Sequence, residues 1–133
     1  MSLNLQILMV IVSICLGTVA IGDDSECDGS AASIVECLDQ KHAELDSQLN
    51  AAYKEVIRRF PFADLSAADR AKSKADFISS QREWIRFRDM DCATTATING
   101  GGDASKYEWF DCLIRHTQQR IVDLKRYSDY LPE

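Results

Sequence analysis

A chain of 133 residues with a net charge of −6, 27% charged and 46% hydrophobic, has the size and balance of one small domain. Its acidity and the lack of any Lys/Arg cluster argue against a nucleic-acid partner and favour a basic one through electrostatic steering. None of the five cysteines forms a C-x-x-C pair, which removes the usual spacing of zinc and thioredoxin-type centres.

The chain opens with "MSLNLQILMVIVSICLGTVAIG", which has no charged side chain and is apolar from Ile7 to Leu16 apart from Ser13. This predicts a secretory signal over residues 1–22, cleaved after the small-residue pattern Ala20-Ile21-Gly22. The alternative is a retained anchor, since Leu3 to Gly22 is about the length that spans a bilayer. Cys15 follows Ile14, where a lipobox requires a small residue, so no lipid anchor is expected. Residues 23–133 then form a single helical domain with Cys27, Cys37, Cys92 and Cys112. Four cysteines behind an export signal predict two disulfides, each adding ~3 kcal/mol by limiting the unfolded chain.

Three helices follow in order. Ile34, Leu38, His42, Leu45, Leu49, Tyr53, Val56 and Phe60 recur at steps of three and four, one face of a helix that Pro61 stops. After the turn "PFADL", Ser66 and Asp69 resemble a capping box, and a second helix is expected from about Ala67 to about Thr95. Its stripe is Ala71, Ala75, Ile78, Gln81, Ile85, Arg88 and Cys92, widened by Phe77, Trp84 and Phe87. "TINGGGDAS" ends it, because three glycines are costly in a helix. Ser105, with Glu108 three residues on, is the expected N-cap of a third helix carrying Phe110, Leu113, Ile114, Thr117, Ile121, Leu124 and Leu131 and closed by Pro132. The fold class is therefore all-α: a three-helix up-down-up antiparallel bundle or hairpin stapled by two disulfides.

Short turns make sequential helices antiparallel, so folding the chain about each turn assigns residues to layers. Folding near residue 63 sets Cys37 opposite Asp89, His42 opposite Trp84, and Asp46 opposite Ser80–Gln81. Folding near residue 100 sets Cys112 opposite Arg88, His116 opposite Trp84, and Arg120 opposite Ser80–Gln81. On this map Cys37 pairs with Cys112 and Cys27 with Cys92; the sequential pairing, Cys27 with Cys37 and Cys92 with Cys112, stays open. Asp46, Gln81 and Arg120 fall together as a buried polar network that fixes register, since an arginine beside a core stripe needs such partners. Arg88 is left with Asp111 and Asp39 nearest by level.

The two histidines, His42 and His116, share the Trp84 level, a metal-site pattern that lacks a clear third ligand. No metal or cofactor is expected. There is no Ser-His-Asp arrangement and no nucleotide loop, and the chain does not read as an enzyme. The acidic leader "DDSECD" and the loop Asn99, Gly100, Gly101, Gly102 and Asp103 are the exposed segments best placed to touch a partner, glycine allowing close backbone approach.

"LDSQLNAAYKEV" resembles the D-x-x-L-N-x-x-Y element of the LprI-like proteins, matched by Asp46, Leu49, Asn50 and Tyr53. "QREWIRFRDMDC" resembles their Q-x-x-W-x-x-[YF]-R-D-x-x-C element, matched by Gln81, Trp84, Phe87, Arg88, Asp89 and Cys92. "CLIRHTQQRIVDL" places Cys112, Thr117, Arg120 and Leu124 in family positions, so the likeness covers about residues 27 to 127. One element departs: "SIVEC", with Glu36 directly before Cys37, stands where the family has T-x-x-E-M-N-x-C. The resemblance implies an exported helical protein in which Asp46, Asn50, Gln81, Arg88, Asp89 and Arg120 are structural. It also implies a protein partner, a lysozyme-type cell-wall hydrolase that the chain inhibits. The alternatives are an envelope interaction module, or an immunity protein against a cell-wall-targeting effector.

Overall fold

The computed structural model describes residues 27–60 and 65–130. The expected signal, the 61–64 turn, and the helix-ending Leu131 and Pro132 lie outside the described residues. Three helices make up the rest: α1 over Ala31–Arg59, α2 over Ala67–Ile98 and α3 over Asp103–Asp129. No strand occurs among the described residues.

Local chemistry sets the ends. Ser30 caps α1, its hydroxyl accepting from the Ser33 N–H at 3.2 Å, while Arg58 and Arg59 lie at the electronegative last turn. Ser66 caps α2 as the sequence predicts: its hydroxyl accepts from the Asp69 N–H at 3.2 Å and donates to the Asp69 carboxylate at 2.6 Å. Two boundaries differ from expectation. α2 runs beyond Thr95 to Ile98, and Thr94, Thr95 and Thr97 turn their hydroxyls back onto carbonyls of their own helix. α3 starts at Asp103, with Gly102 at the cap position and φ of 76°, conformational room that glycine supplies. Ser105 is therefore inside the helix, where its hydroxyl donates to the Ala96 carbonyl at 3.1 Å and ties the start of α3 to the end of α2.

The topology is up-down-up. α1 and α3 are parallel, with His42 level with Phe110 and Arg59 level with Ser128. α2 runs against α3, with Cys92 level with Cys112 and Phe77 with Tyr127. α3 is the middle element: it packs along both others, whereas α1 and α2 hardly approach each other. Leu38, Leu45, Leu49 and Val56 of α1 meet Leu113, Ile114, Ile121 and Leu124 of α3 in one apolar core. Burying each such side chain contributes roughly 1.5–3 kcal/mol.

α2 differs. Its buried residues are Gln81, Arg88 and Cys92. The stripe expected of it is only partly a packing face: Ala71, Ala75, Ile85 and Phe87 are exposed. Toward its N-terminal end it is held by rings instead. Phe77 stacks on Tyr53 of α1 at 5.7 Å, tilts against Phe60 at 5.5 Å, and meets Tyr127 of α3 edge-on at 6.1 Å.

Both disulfides are sequential, Cys27–Cys37 and Cys92–Cys112, with Cα separations of 5.8 and 5.4 Å. The pairing of Cys37 with Cys112 and Cys27 with Cys92, favoured by the layer map, is thereby corrected. The reason is register: Cys92 is level with Cys112, so the α2–α3 pair lies within reach. Cys37, nearly two turns from the N-terminus of α1, meets the chain that has just preceded it.

Candidate functional site

The polar residues gather in two linked groups at the centre of the bundle. In the first, Arg88 of α2 is 6% exposed. Its Nη1 donates to Asp46 Oδ1 of α1 at 2.8 Å and to Thr117 Oγ1 of α3 at 2.9 Å, and its Nε donates to Asp89 at 3.0 Å. One guanidinium thus joins all three helices, using the planar fork that arginine alone provides. In the second, Arg120 Nε donates to Gln81 Oε1 at 2.9 Å. Trp84 links the groups: the guanidinium carbons of Arg88 and Arg120 lie 5.5 and 5.6 Å from its ring centre, within cation–π range.

The structure therefore redistributes the expected network. Gln81 and Arg120 meet as the layers imply. Asp46 does not join them; it serves Arg88, whose named neighbours Asp111 and Asp39 are not its partners. Asp111 instead accepts from Arg115 at 3.0 Å. Asn50 is exposed and, among the described residues, makes no hydrogen bond into either group. Thr117, fully buried and read from sequence as part of a stripe and as a family position but not as a member of the network, is the missed member. A hydroxyl in a run of Leu and Ile was the available signal, because a buried hydroxyl needs a partner.

The histidines separate. His42 faces Phe110, with ring centres 6.1 Å apart, and its Nε2 is buried 3.7 Å from Asp46 Oδ1. His116 pairs with Asp91 at 2.9 Å and meets Phe87 edge-on at 5.6 Å. They do not converge on a common point beside Trp84. His116 does lie near Cys92 and Cys112, all three donor atoms falling within 4.8 Å of one another. Those sulfurs are bonded together, however, and metal binding uses thiolates.

The Asn99–Asp103 segment is exposed throughout. Asn99 donates its side-chain amide to the Thr95 carbonyl at 2.8 Å, closing α2. Asp103 is the first residue of α3 and pairs with Lys106 at 3.6 Å, stabilised there by the positive helix end. At the far end of the bundle a cleft of about 460 Å³ opens between Ile57 and Arg58 of α1 with the following Phe60, and Arg70, Ala71 and Lys74 of α2.

Charge is segregated along the bundle axis. Asp28–Asp46 and Asp89–Asp111 bring ten carboxylates and two lysines to the disulfide end. The remaining described residues carry thirteen Lys and Arg against six Asp and Glu. The sequence hides this segregation, because the acidic stretches come together only when α1 and α3 run parallel.

Around this centre the polar side chains serve one another, while His42 Nε2 is buried without a hydrogen-bond partner among the described residues. Residues 23–124 match the family described as lysozyme inhibitor LprI, and the chain belongs to that family. It is 30% identical over 119 residues to the uncharacterized protein YecT of Escherichia coli (strain K12), covering 82% of this chain and 73% of YecT. It is 28% identical over 93 residues to an uncharacterized protein of Rhizobium meliloti (strain 1021), covering 67% of each. No solved structure matches the chain.

Proposed function

We propose that the chain is an exported binding protein that inhibits a lysozyme-type cell-wall hydrolase. Residues 1–22 act as the cleaved export signal, and 23–133 form the mature domain. Among the described residues no helix is long and apolar enough to cross a membrane. Family membership carries the reading. Charge segregation supports it: an acidic end complements a cationic hydrolase and speeds the encounter. The exposed Asn99–Asp103 loop at that end supports counting it among the contacts; the acidic residues before Cys27, proposed as contacts on their charge, lie outside the described residues.

The test uses the mature chain, a cationic c-type lysozyme, and two measurements: binding by calorimetry, and lysis of cell-wall suspensions. Binding with slowed lysis at low ionic strength, weakening as salt rises, is the expected result. Unchanged lysis with no heat of binding at low salt removes the lysozyme reading and leaves the envelope-module and immunity readings to be tested with other partners.

A further inference from the structure

The outward face of the second half of α2 is apolar and largely uncovered; at its start Phe87 meets His116 of α3 edge-on at 5.6 Å. Phe87, Met90, Thr94 and Ile98 follow at steps of three and four and line one side of the helix. Phe87, Met90 and Ile98 are 55%, 73% and 77% exposed. Thr94 presents its methyl group, because its hydroxyl is turned back onto the Met90 carbonyl at 3.0 Å. Thr97 does the same onto Ala93 at 2.9 Å. No residue from Cys92 to Gly102 is charged, in a chain that is 27% charged. The residues that pack on α3, Gln81, Arg88 and Cys92, lie roughly 120° away around the helix, so Met90, Thr94 and Ile98 face away from α3.

The surrounding charge indicates what covers the strip. It occupies the acidic end, with the half-exposed Asp91 beside it and Asp103 just past its last residue. Apolar side chains at the centre and charged ones at the rim are the arrangement of a protein interface. A second copy docked strip to strip would bring two acidic ends together, so the complement is a cationic surface. We propose that the Phe87–Ile98 strip is where the cationic hydrolase docks, an assignment that rests on the inhibitory reading above. The carboxylates steer and orient the partner, and Met90 and Ile98 supply the apolar anchors.

The test compares three chains against a cationic c-type lysozyme at low ionic strength: the wild type, Met90→Ser/Ile98→Ser, and a control, Val122→Ser/Tyr130→Ser, which alters exposed apolar residues toward the basic end. Loss of two central anchors is expected to raise Kd about tenfold or more, while the control stays within about twofold. Thermal unfolding of all three should coincide, since the altered side chains are exposed. A strip variant that binds like the wild type overturns the strip and leaves the inhibitory reading intact. A wild type that fails to bind overturns both. A wild type that dimerises by sedimentation, with dimers lost and lysozyme affinity kept in the strip variant, overturns it in favour of a second copy.

Discussion

The α1–α3 seam and the α2–α3 seam share one helix and are built from different chemistry. Along the first, leucine, isoleucine and valine pack on both sides. Along the second, α2 contributes a glutamine, an arginine and a disulfide, with an aromatic cluster toward one end. Burial is non-directional, so the first seam supplies cohesion and tolerates small shifts. Hydrogen bonds and a disulfide have fixed geometry, so the second supplies register. A helix attached in this way needs little apolar surface facing the core. Its remaining face is then free to carry side chains such as Met90 and Ile98 for another purpose.

The largest expected effect breaks the first seam. Leu124 is 0% exposed, and Leu124→Ala should cost about 4 kcal/mol by leaving a cavity that helices cannot close. Urea titration followed by helical circular dichroism measures it. A loss below about 1 kcal/mol would mean that the apolar seam is not the main source of cohesion.

Next comes the covalent link of the second seam. Cys92→Ser with Cys112→Ser opens a loop of sequence separation 20 and should cost about 3 kcal/mol. The comparison also predicts where: amide exchange should quicken more in the second half of α2 than in α1. Equal acceleration in both helices would show that the two seams open as one unit.

Third is the guanidinium. Arg88→Ala removes bonds to Asp46, Asp89 and Thr117. Asp46 and Asp89 keep 39% and 53% side-chain exposure and can rehydrate. The expected loss is therefore about 2 kcal/mol, less than for a fully enclosed pair. Thr117→Val should cost about 1 kcal/mol, since Arg88 keeps its carboxylates. If Thr117→Val proved the costlier of the two, the carboxylates would not be the main partners.

The three helices and the Ser66 cap were legible in the sequence, because period and capping chemistry are local. The polar network was half legible. Gln81 with Arg120 followed from folding about the second turn, since α2 and α3 do pack together. Asp46 was placed opposite Gln81 but meets Arg88, seven residues further on. Folding α1 onto α2 presumes that their backbones run side by side. They stay apart and meet through long side chains, Phe77 on Tyr53 and Arg88 on Asp46, while each packs along α3, so the first turn does not set their register. The same displacement misled the disulfide pairing. The α2 stripe is exposed in part for another reason: Ile85 and Phe87 fit a helical period, and period alone does not say which apolar positions are buried.

The smallest effect sharpens the comparison at the far end of the first seam, where charge joins burial. Glu55 accepts from Arg58 at 2.7 and 2.9 Å and from Arg59 at 2.5 Å. Arg59 also reaches the Ser128 carbonyl at 3.4 Å, joining the last turns of α1 and α3. Hydrogen bonds from Arg58 first, and then Arg59, hold the Glu55 carboxyl down at about 2, against an ordinary value of 4.5. A depressed folded-state pKa means that the folded chain binds fewer protons than the unfolded one between these values. The contribution is therefore complete above 4.5 and is lost as pH falls toward about 2. Glu55→Gln should flatten that part of the acid limb of stability while leaving the neutral-pH core effect of Leu124→Ala unchanged. Urea midpoints at about pH 3 and about pH 6, for wild type and variant, measure the difference in slope. Because the pair is exposed, the difference should shrink in high salt. A difference that persists in salt would mean that the Arg59 link to α3, rather than screened surface charge, is what the carboxylate supports.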